Sequence, residues 1–299
     1  MYSNVKQKMN TRILIEEFEY FEPRTVEEAL DYLTNEGNKT RVIAGGTDLL
    51  VQIKTGKVHA DRLVNIARIP SLRYIIEKKG LRIGPLISFR EIEKSRVIRE
   101  KYTALYEAAS SVSSVQIKSM GTLGGNLCHA SPAADSAPPL IVFGGMLRLV
   151  EKDREKLIPA EDFFLGPGET VLSSNELLAE IQLPEQESNV GSSFLKMGRV
   201  SADLAKVNVA VMMVRDGHIC KHCRIALGAV SKTPIRARRG EKVLVGKRFE
   251  EGLAEKAGQQ TSDEIQPITD VRSMDWYRRE ITKVIVRDAI LLAWKRTGG

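Results

Sequence analysis

Residues 121–135 read GTLGGNLCHASPAAD, a stretch with three glycines within five residues and one acidic residue at its far end. Ordering a glycine costs more conformational entropy than ordering any other residue, so several together mark backbone that bends sharply or approaches something closely. A second stretch of this kind, AGGTDLL at residues 44–50, follows a short apolar run that predicts a buried strand. In both stretches a threonine stands beside the glycines, and the two together determine the fold prediction.

These glycine-rich stretches allow two interpretations. They are either tight turns or phosphate sites, because exposed N–H groups in a glycine turn form a concavity with partial positive charge. Thr47 and Thr122 could add hydroxyl donors to such a site. The sequence contains neither the G-x-G-x-x-G pattern of Rossmann dinucleotide sites nor the G-x-x-x-x-G-K-[ST] pattern of P-loop NTPases. The residues alone therefore leave the turn and the phosphate interpretation about equally supported.

The composition is that of an ordinary globular protein. The 299 residues are 42% hydrophobic and 28% charged, and a chain of this length suits two or three packed domains. No apolar run approaches the roughly 18 residues needed to span a bilayer. The first ten residues lack the apolar segment of a secretory signal, and three cysteines do not make a disulfide framework. We therefore expect a cytoplasmic protein without a membrane span.

The net charge of +7 includes a local basic cluster in the last third of the chain. Its members are Lys232, Arg236, Arg238, Arg239 and Lys242. Nucleic-acid surfaces interleave such residues with aromatic side chains, and this cluster does not. The pattern indicates a solvated or subunit-facing surface and no nucleic-acid partner.

The element pattern places strands and helices in segregated groups. Thr25 and Glu28 predict the start of a helix, Ser88 and Glu91 predict another, and a long helix is expected from about residue 273 to 296. The apolar face of the first helix comprises Val26, Ala29, Leu30 and Leu33. Strands followed by helices, without regular alternation, predict α+β domains.

The segment HICKHC at residues 218–223 invites a metal interpretation, because Cys220 and Cys223 have C-x-x-C spacing. The surrounding pattern is that of a strand, where residues three apart point to opposite faces. We therefore expect Cys220 and Cys223 to diverge, His218, Cys220 and His222 to share a face, and no metal site. The chain also shows no Ser/His/Asp or paired-carboxylate arrangement, and we predict no catalytic side chain.

Five ordered stretches carry a family resemblance that extends over nearly the whole chain after about Ile13. They read AGGTDLLVQIK, GTLGGNLCHASPAADSAPPL, FFLGPGETVL, NELLAEIQLP and FLKMGRVSADLAKVNVAV, and RIALGAVSKTPIRA continues the pattern. The sequence resembles the FAD-binding medium subunits of molybdenum hydroxylases. That family includes xanthine dehydrogenase, carbon monoxide dehydrogenase, nicotinate dehydrogenase and 4-hydroxybenzoyl-CoA reductase.

The resemblance implies an α+β fold with an FAD-binding domain of the vanillyl-alcohol-oxidase (PCMH) type and a C-terminal α+β domain. Residues 1–12 would form a tail, residues 13–187 the FAD-binding domain and residues 190–299 the C-terminal domain. The FAD-binding domain would divide into subdomains at about residues 13–69 and 70–187.

The resemblance also implies where FAD binds, with its pyrophosphate between the two glycine-rich stretches. The first stretch would contribute Ile43, Ala44, Gly45, Gly46, Thr47, Asp48 and Leu49, and the second Thr122, Gly124, Gly125 and Asn126. Asp135 would accept hydrogen bonds from sugar or ribityl hydroxyls, and Leu178 would offer backbone groups to the flavin ring. Lys196 is either a residue near the flavin or a solvated strand lysine.

The implied function is electron transfer through non-covalently bound FAD. Electrons would arrive from the 2Fe–2S clusters of a small partner subunit and leave to NAD⁺ or another acceptor. A large partner subunit would hold the molybdenum–pterin cofactor, and the xanthine dehydrogenase type is favoured over carbon monoxide, nicotinate, aldehyde or aromatic acyl-CoA oxidoreductases. A stand-alone flavin oxidase of the same fold and a non-enzymatic nucleotide-binding module are the alternatives.

Overall fold

The structure, a computed structural model, describes residues 17–34, 40–200 and 202–298. The predicted N-terminal tail at residues 1–12 and the first residues of the predicted FAD-binding domain, 13–16, lie outside the described residues. Strand and helix alternate over residues 19–65, whereas from residue 70 onward strands and helices occur in segregated groups, and this mixed architecture confirms the α+β prediction. No helix within the described residues has the length and hydropathy needed to cross a membrane.

The first unit is a three-stranded parallel sheet with strand order β1-β3-β2. Its elements are β1 (Glu19–Phe21), α1 (Val26–Thr34), β2 (Thr40–Ile43), α2 (Leu49–Lys54) and β3 (Arg62–Asn65). The Thr25 hydroxyl accepts a hydrogen bond from the Glu28 N–H at 3.1 Å, which confirms the predicted helix start. Ala29, Leu30 and Leu33 are buried, as their spacing predicts. The first glycine-rich stretch joins β2 to α2.

The second unit is a five-stranded antiparallel sheet with strand order β4-β5-β10-β6-β7. The strands are β4 (Ile75–Glu77), β5 (Leu81–Ile83), β6 (Met146–Glu151), β7 (Arg154–Pro159) and β10 (Leu177–Leu183), and β8 (Phe164–Gly166) pairs with β9 (Glu169–Thr170). Between β5 and β6 lie α3 (Phe89–Lys94), α4 (Arg96–Lys101), α5 (Thr103–Ser111), α6 (Val115–Met120), α7 (Leu123–His129) and α8 (Ala137–Val142). A complete capping box of Ser88 and Glu91 begins α3, as predicted.

The third unit is a four-stranded antiparallel sheet covered by helices. It comprises β11 (Val190–Met197), β12 (Val207–Asp216), β13 (Ile219–Gly228) and β14 (Ile235–Arg236), followed by α9 (Arg238–Leu244), α10 (Glu251–Glu264) and α11 (Asp275–Arg296). The long last helix is present where the sequence predicts it. The basic cluster is partly an inter-unit contact, because Arg238 Nη2 lies 2.9 Å from Glu161 Oε1 in the second unit.

The prediction that Cys220 and Cys223 diverge is wrong. The pairing of β12 with β13 shifts register between Val214 and Arg215, so that Lys221 is an extra residue in β13. Such a bulge reverses the alternation of side chains beyond it. Both cysteines therefore lie in one hydrophobic core, where the neighbouring Cys220 thiol and burial raise the pKa of Cys223.

Candidate functional site

The first glycine-rich stretch forms an open turn with unpaired backbone donors. Gly46 has φ of +71°, a conformation that glycine adopts without a steric penalty. Among the described residues, the N–H groups of Gly46, Thr47 and Asp48 donate to no protein acceptor. Asp48 stands at the N-terminal end of α2 without capping it through its side chain. Adjacent unpaired N–H groups attract oxygen anions, so this turn fits the pyrophosphate of a dinucleotide.

The second glycine-rich stretch is the start of a helix rather than the loop that its composition predicts. The Thr122 hydroxyl accepts a hydrogen bond from the Gly125 N–H at 3.0 Å and so caps α7. The Leu123 N–H donates to the Ile87 carbonyl at 2.8 Å, and the Gly124 N–H donates to the Pro85 carbonyl at 2.9 Å. Because these amides already donate within the protein, they are not free to bind a ligand. The second stretch therefore contributes to the site more through its shape than through hydrogen-bond donors.

The two stretches touch through their backbones. A Cβ atom added to Gly45 would lie 2.0 Å from the carbonyl oxygen of Met120, which allows only glycine at this position. The two stretches also approach each other through side chains, because His129 Nε2 of the second lies 3.7 Å from Asp48 Oδ1 of the first. The structure therefore brings the two predicted halves of the site together.

Gly124 and Gly125 are glycines for different reasons. A Cβ atom on Gly124 would lie 2.4 Å from the Pro85 Cβ, so the protein's own packing requires this glycine. A Cβ atom on Gly125 would meet only the Thr122 hydroxyl, at 2.8 Å, and otherwise open space. Of these two glycines, Gly125 is the one that leaves room for a ligand.

Asp135 and Lys196 form a buried ion pair. The Lys196 ammonium lies 2.8 Å from Asp135 Oδ2 and also donates to the Ser111 carbonyl at 2.6 Å. Only 7% of the Lys196 side chain and 10% of the Asp135 side chain are exposed, so Lys196 is not a solvated strand lysine. Burial raises the pKa of the Asp135 carboxyl, and this effect outweighs the opposing influence of Lys196.

Asn208 completes this network and was not identified from the sequence. Its side-chain amide donates to Asp135 Oδ1 at 2.7 Å, while its own carbonyl oxygen is buried without a hydrogen-bond partner. Buried polar groups are normally paired, so a lone asparagine in the apolar strand KVNVAVMMV was the signal available. The pair and Asn208 join the second unit to strands β11 and β12 of the third.

The remaining predicted residues lie at the edges of this arrangement. Ile43 and Ala44 are at the end of β2 and the start of the first turn, and the Asn126 side chain accepts a hydrogen bond from the Ser136 hydroxyl at 2.6 Å. Leu178 lies on β10, opposite Leu149 of β6, in the core that also contains the inward side of α7. No group of three or more His, Cys, Asp or Glu side chains suited to a metal occurs within the described residues.

Family models match the two parts of the chain. The model of the FAD binding domain in molybdopterin dehydrogenase matches residues 16–186. The model of the CO dehydrogenase flavoprotein C-terminal domain matches residues 192–293.

Individual relatives match over most of their length. The glyceraldehyde dehydrogenase medium chain of Sulfolobus acidocaldarius is 30% identical, over 91% of this chain and 97% of the relative. The carbon monoxide dehydrogenase medium chain of Hydrogenophaga pseudoflava is 31% identical, over 93% of this chain and 98% of the relative. The xanthine dehydrogenase FAD-binding subunit of Escherichia coli O157:H7 is 26% identical, over 94% and 97%.

Solved structures agree with the sequence comparisons. A chain of the carbon monoxide dehydrogenase from Hydrogenophaga pseudoflava superposes with a TM-score of 0.92 at 30% identity, covering 95% of this chain and 99% of that one. A chain of quinoline 2-oxidoreductase from Pseudomonas putida 86 gives 0.89 at 26% identity, covering 94% and 98%.

Proposed function

The chain belongs to the FAD-binding medium subunits of the molybdenum hydroxylase family, and we propose that its FAD passes electrons from a partner's 2Fe–2S clusters to NAD⁺ or another acceptor. The observation that carries this proposal is the open turn at Gly46, Thr47 and Asp48, with its unpaired N–H groups against the start of α7. In this family the molybdopterin and the 2Fe–2S clusters belong to partner subunits. Bound FAD supplies one- and two-electron chemistry, which lets it join single-electron carriers to a hydride acceptor.

The residues of this chain bind and orient the cofactor. The N–H groups of Gly46, Thr47 and Asp48 are suited to hold the pyrophosphate, and the space in front of Gly125 admits it. Ile43, Ala44, Gly45, Leu49, Thr122, Gly124 and Asn126 complete the proposed lining. The Asp135 carboxylate, held by Lys196 and Asn208, still has lone pairs that could accept hydrogen bonds from sugar hydroxyls.

The flavin ring would lie toward Leu178 and Lys196. An ammonium group near the pyrimidine edge of the ring favours the reduced, anionic flavin. The Lys196 ammonium is paired with the Asp135 carboxylate, and the two charges offset each other. The electrostatic effect on the flavin would therefore be that of the ion pair and not of a lone cation.

The substrate of the complex is determined on another chain. We keep xanthine dehydrogenase as one candidate type, beside carbon monoxide, nicotinate, aldehyde and aromatic acyl-CoA oxidoreductases. Co-purification of this chain from its source with a molybdenum-containing large subunit and an iron–sulfur small subunit tests the assembly. The metal content and substrate activity of that complex identify its type.

The cysteines, unpaired in the described structure, fit a cytoplasmic location.

We expect the purified chain to be yellow and to release about one FAD per chain on denaturation. The unpaired N–H groups of the first turn suit a diphosphate, which FAD contains and FMN lacks. The measurement is chromatography of the released flavin with absorbance quantification. Release of FMN, or of no flavin after incubation with excess FAD, would contradict the proposal and favour the non-enzymatic module.

We also expect the isolated chain to oxidise no purine, aldehyde or N-heterocycle, and to oxidise NADH slowly in the presence of an artificial dye. Substrate hydroxylation requires the molybdenum centre of a partner, whereas the flavin can exchange electrons directly with NADH. The measurement is substrate-dependent dye reduction by chain freed of its partners. Substrate turnover at a rate comparable with the NADH reaction would identify the chain as a stand-alone oxidase.

A further inference from the structure

Helix α6 has the reverse of the usual amphipathic arrangement. Its apolar side chains Val115, Ile117 and Met120 are exposed by 56%, 37% and 59%. Lys118 is its one buried residue, at 7% exposed. Surface helices normally attach to the protein through an apolar face. On α6 the inward-facing side chain is instead a charged one.

Lys118 is held by groups from two other helices. Its ammonium lies 2.9 Å from Glu93 Oε1 at the end of α3 and 3.3 Å from the Ser110 carbonyl at the end of α5. A cation at the C-terminal end of a helix interacts favourably with the helix dipole. Burial raises the pKa of Glu93, but hydrogen bonds from Lys118 and Arg90 outweigh it, so the pKa lies below its ordinary value.

The position of α6 determines how the two halves of the FAD site meet. The last carbonyl of α6, on Met120, is the group that closes on Gly45 of the first turn. The Gly121 N–H donates to the Ile117 carbonyl at 2.7 Å, and Thr122, the cap of α7, follows directly. A movement of α6 would therefore displace both the first turn and the start of α7.

We propose that Lys118 is a positioning residue for FAD, because its bonds to Glu93 and Ser110 hold α6 against the protein and thereby hold the Gly45–Met120 contact. The inference rests on the proposed function. Lys118 is not one of the proposed FAD-binding residues, but it would keep the two glycine-rich stretches in their relative positions. Lys118 acts through α6, and nothing in the inference requires it to touch the flavin.

The test is the Lys118→Met variant of the full chain. Methionine preserves length and apolar stem but removes the charge, and Glu93 keeps its ion pair with Arg90 at 2.6 Å, so no isolated charge is left behind. We expect FAD to bind about tenfold to a hundredfold more weakly, the equivalent of one charge-assisted hydrogen bond. The measurement is quenching of FAD fluorescence, with thermal unfolding of the apoprotein recorded in parallel.

Two further variants separate positioning from general stability. Lys118→Arg should restore most of the affinity, because a guanidinium also reaches Glu93 with charge. Lys156→Met removes a more exposed lysine–glutamate pair of the same unit, with Glu176 at 2.7 Å from Lys156, and should leave FAD affinity unchanged. Hydrogen exchange adds a local readout: in Lys118→Met the amides of Leu123 and Gly124 should exchange faster at unchanged global stability.

The outcomes are distinct. Weak FAD binding by Lys118→Met, with rescue by arginine and no effect at Lys156, supports the proposal. FAD affinity like that of the parent, or an equal loss in Lys156→Met, overturns it. A parent chain that binds no FAD overturns the proposed function itself, so failure of the one is distinguishable from failure of the other.

Discussion

The Gly125→Val variant is expected to fold and to bind FAD about a hundredfold to ten-thousandfold more weakly than the parent. Among the described residues, the Thr122 hydroxyl, at 2.8 Å, is the one group within 4 Å of a Cβ atom added at this position. Valine would therefore fill the space in front of α7 and push the pyrophosphate away from the unpaired N–H groups of the facing turn. Each charge-assisted hydrogen bond is worth about 1.5–3 kcal/mol. Loss of two gives the stated range at about 1.4 kcal/mol per decade.

The matched control for this substitution is Gly252→Val. Gly252 lies in the first turn of α10, with nothing within 4 Å of the position of an added Cβ. It should retain the parent's FAD affinity. Fluorescence quenching gives the affinities, and circular dichroism shows whether each variant is folded. A folded Gly125→Val chain with the affinity of the parent would show that the stretch GTLGGN serves only to start a helix.

The elements that could be predicted from the sequence are those governed by local signals. The helix start at Thr25 and Glu28 and the capping box at Ser88 and Glu91 depend on residues three apart, so a sequence displays them directly. The helix that begins in the second glycine-rich stretch was harder to predict. Its glycines disfavour a helix, but the Thr122 cap and the packing of Gly124 against Pro85 override that preference.

The buried parts of the site depend on contacts between distant residues. Lys196 meets Asp135 across 61 positions, and Asn208 meets it across 73. Nothing in the periodicity of β11 or β12 indicates that these polar groups share one buried network. The bulge at Lys221, which turns Cys220 and Cys223 to the same core, is likewise a property of strand pairing and carries no local sequence signal.

The Asp135–Lys196 pair leads to the second large expected effect. Lys196→Met should lower the free energy of unfolding at neutral pH by about 3–5 kcal/mol, because among the described residues it leaves the buried Asp135 carboxylate with Asn208 as its one remaining side-chain donor. The double variant Lys196→Met/Asp135→Asn should be more stable than Lys196→Met alone, since asparagine fills the same space without charge. Chemical denaturation of the apoprotein measures the unfolding free energies. A single variant as stable as the parent would contradict this expectation.

The pKa of Asp135 determines how the stability deficit of Lys196→Met depends on pH. In the parent, burial already raises the pKa of Asp135, and Lys196 opposes that rise. Removing Lys196 should raise the pKa further, so the folded variant should bind a proton that the unfolded chain has released at neutral pH. When the pKa of an aspartate is higher in the folded chain than in the unfolded chain, protonation stabilises the fold. This stability is fully present below the pKa of the unfolded chain, about 3.9, and is lost as the pH rises toward the pKa of the folded chain. The deficit of Lys196→Met should therefore shrink as pH falls toward 4, whereas the double variant should lack this dependence. A deficit that grows on acidification, in denaturation series on both variants and the parent, would mean that the Asp135 carboxylate stays charged and finds another partner.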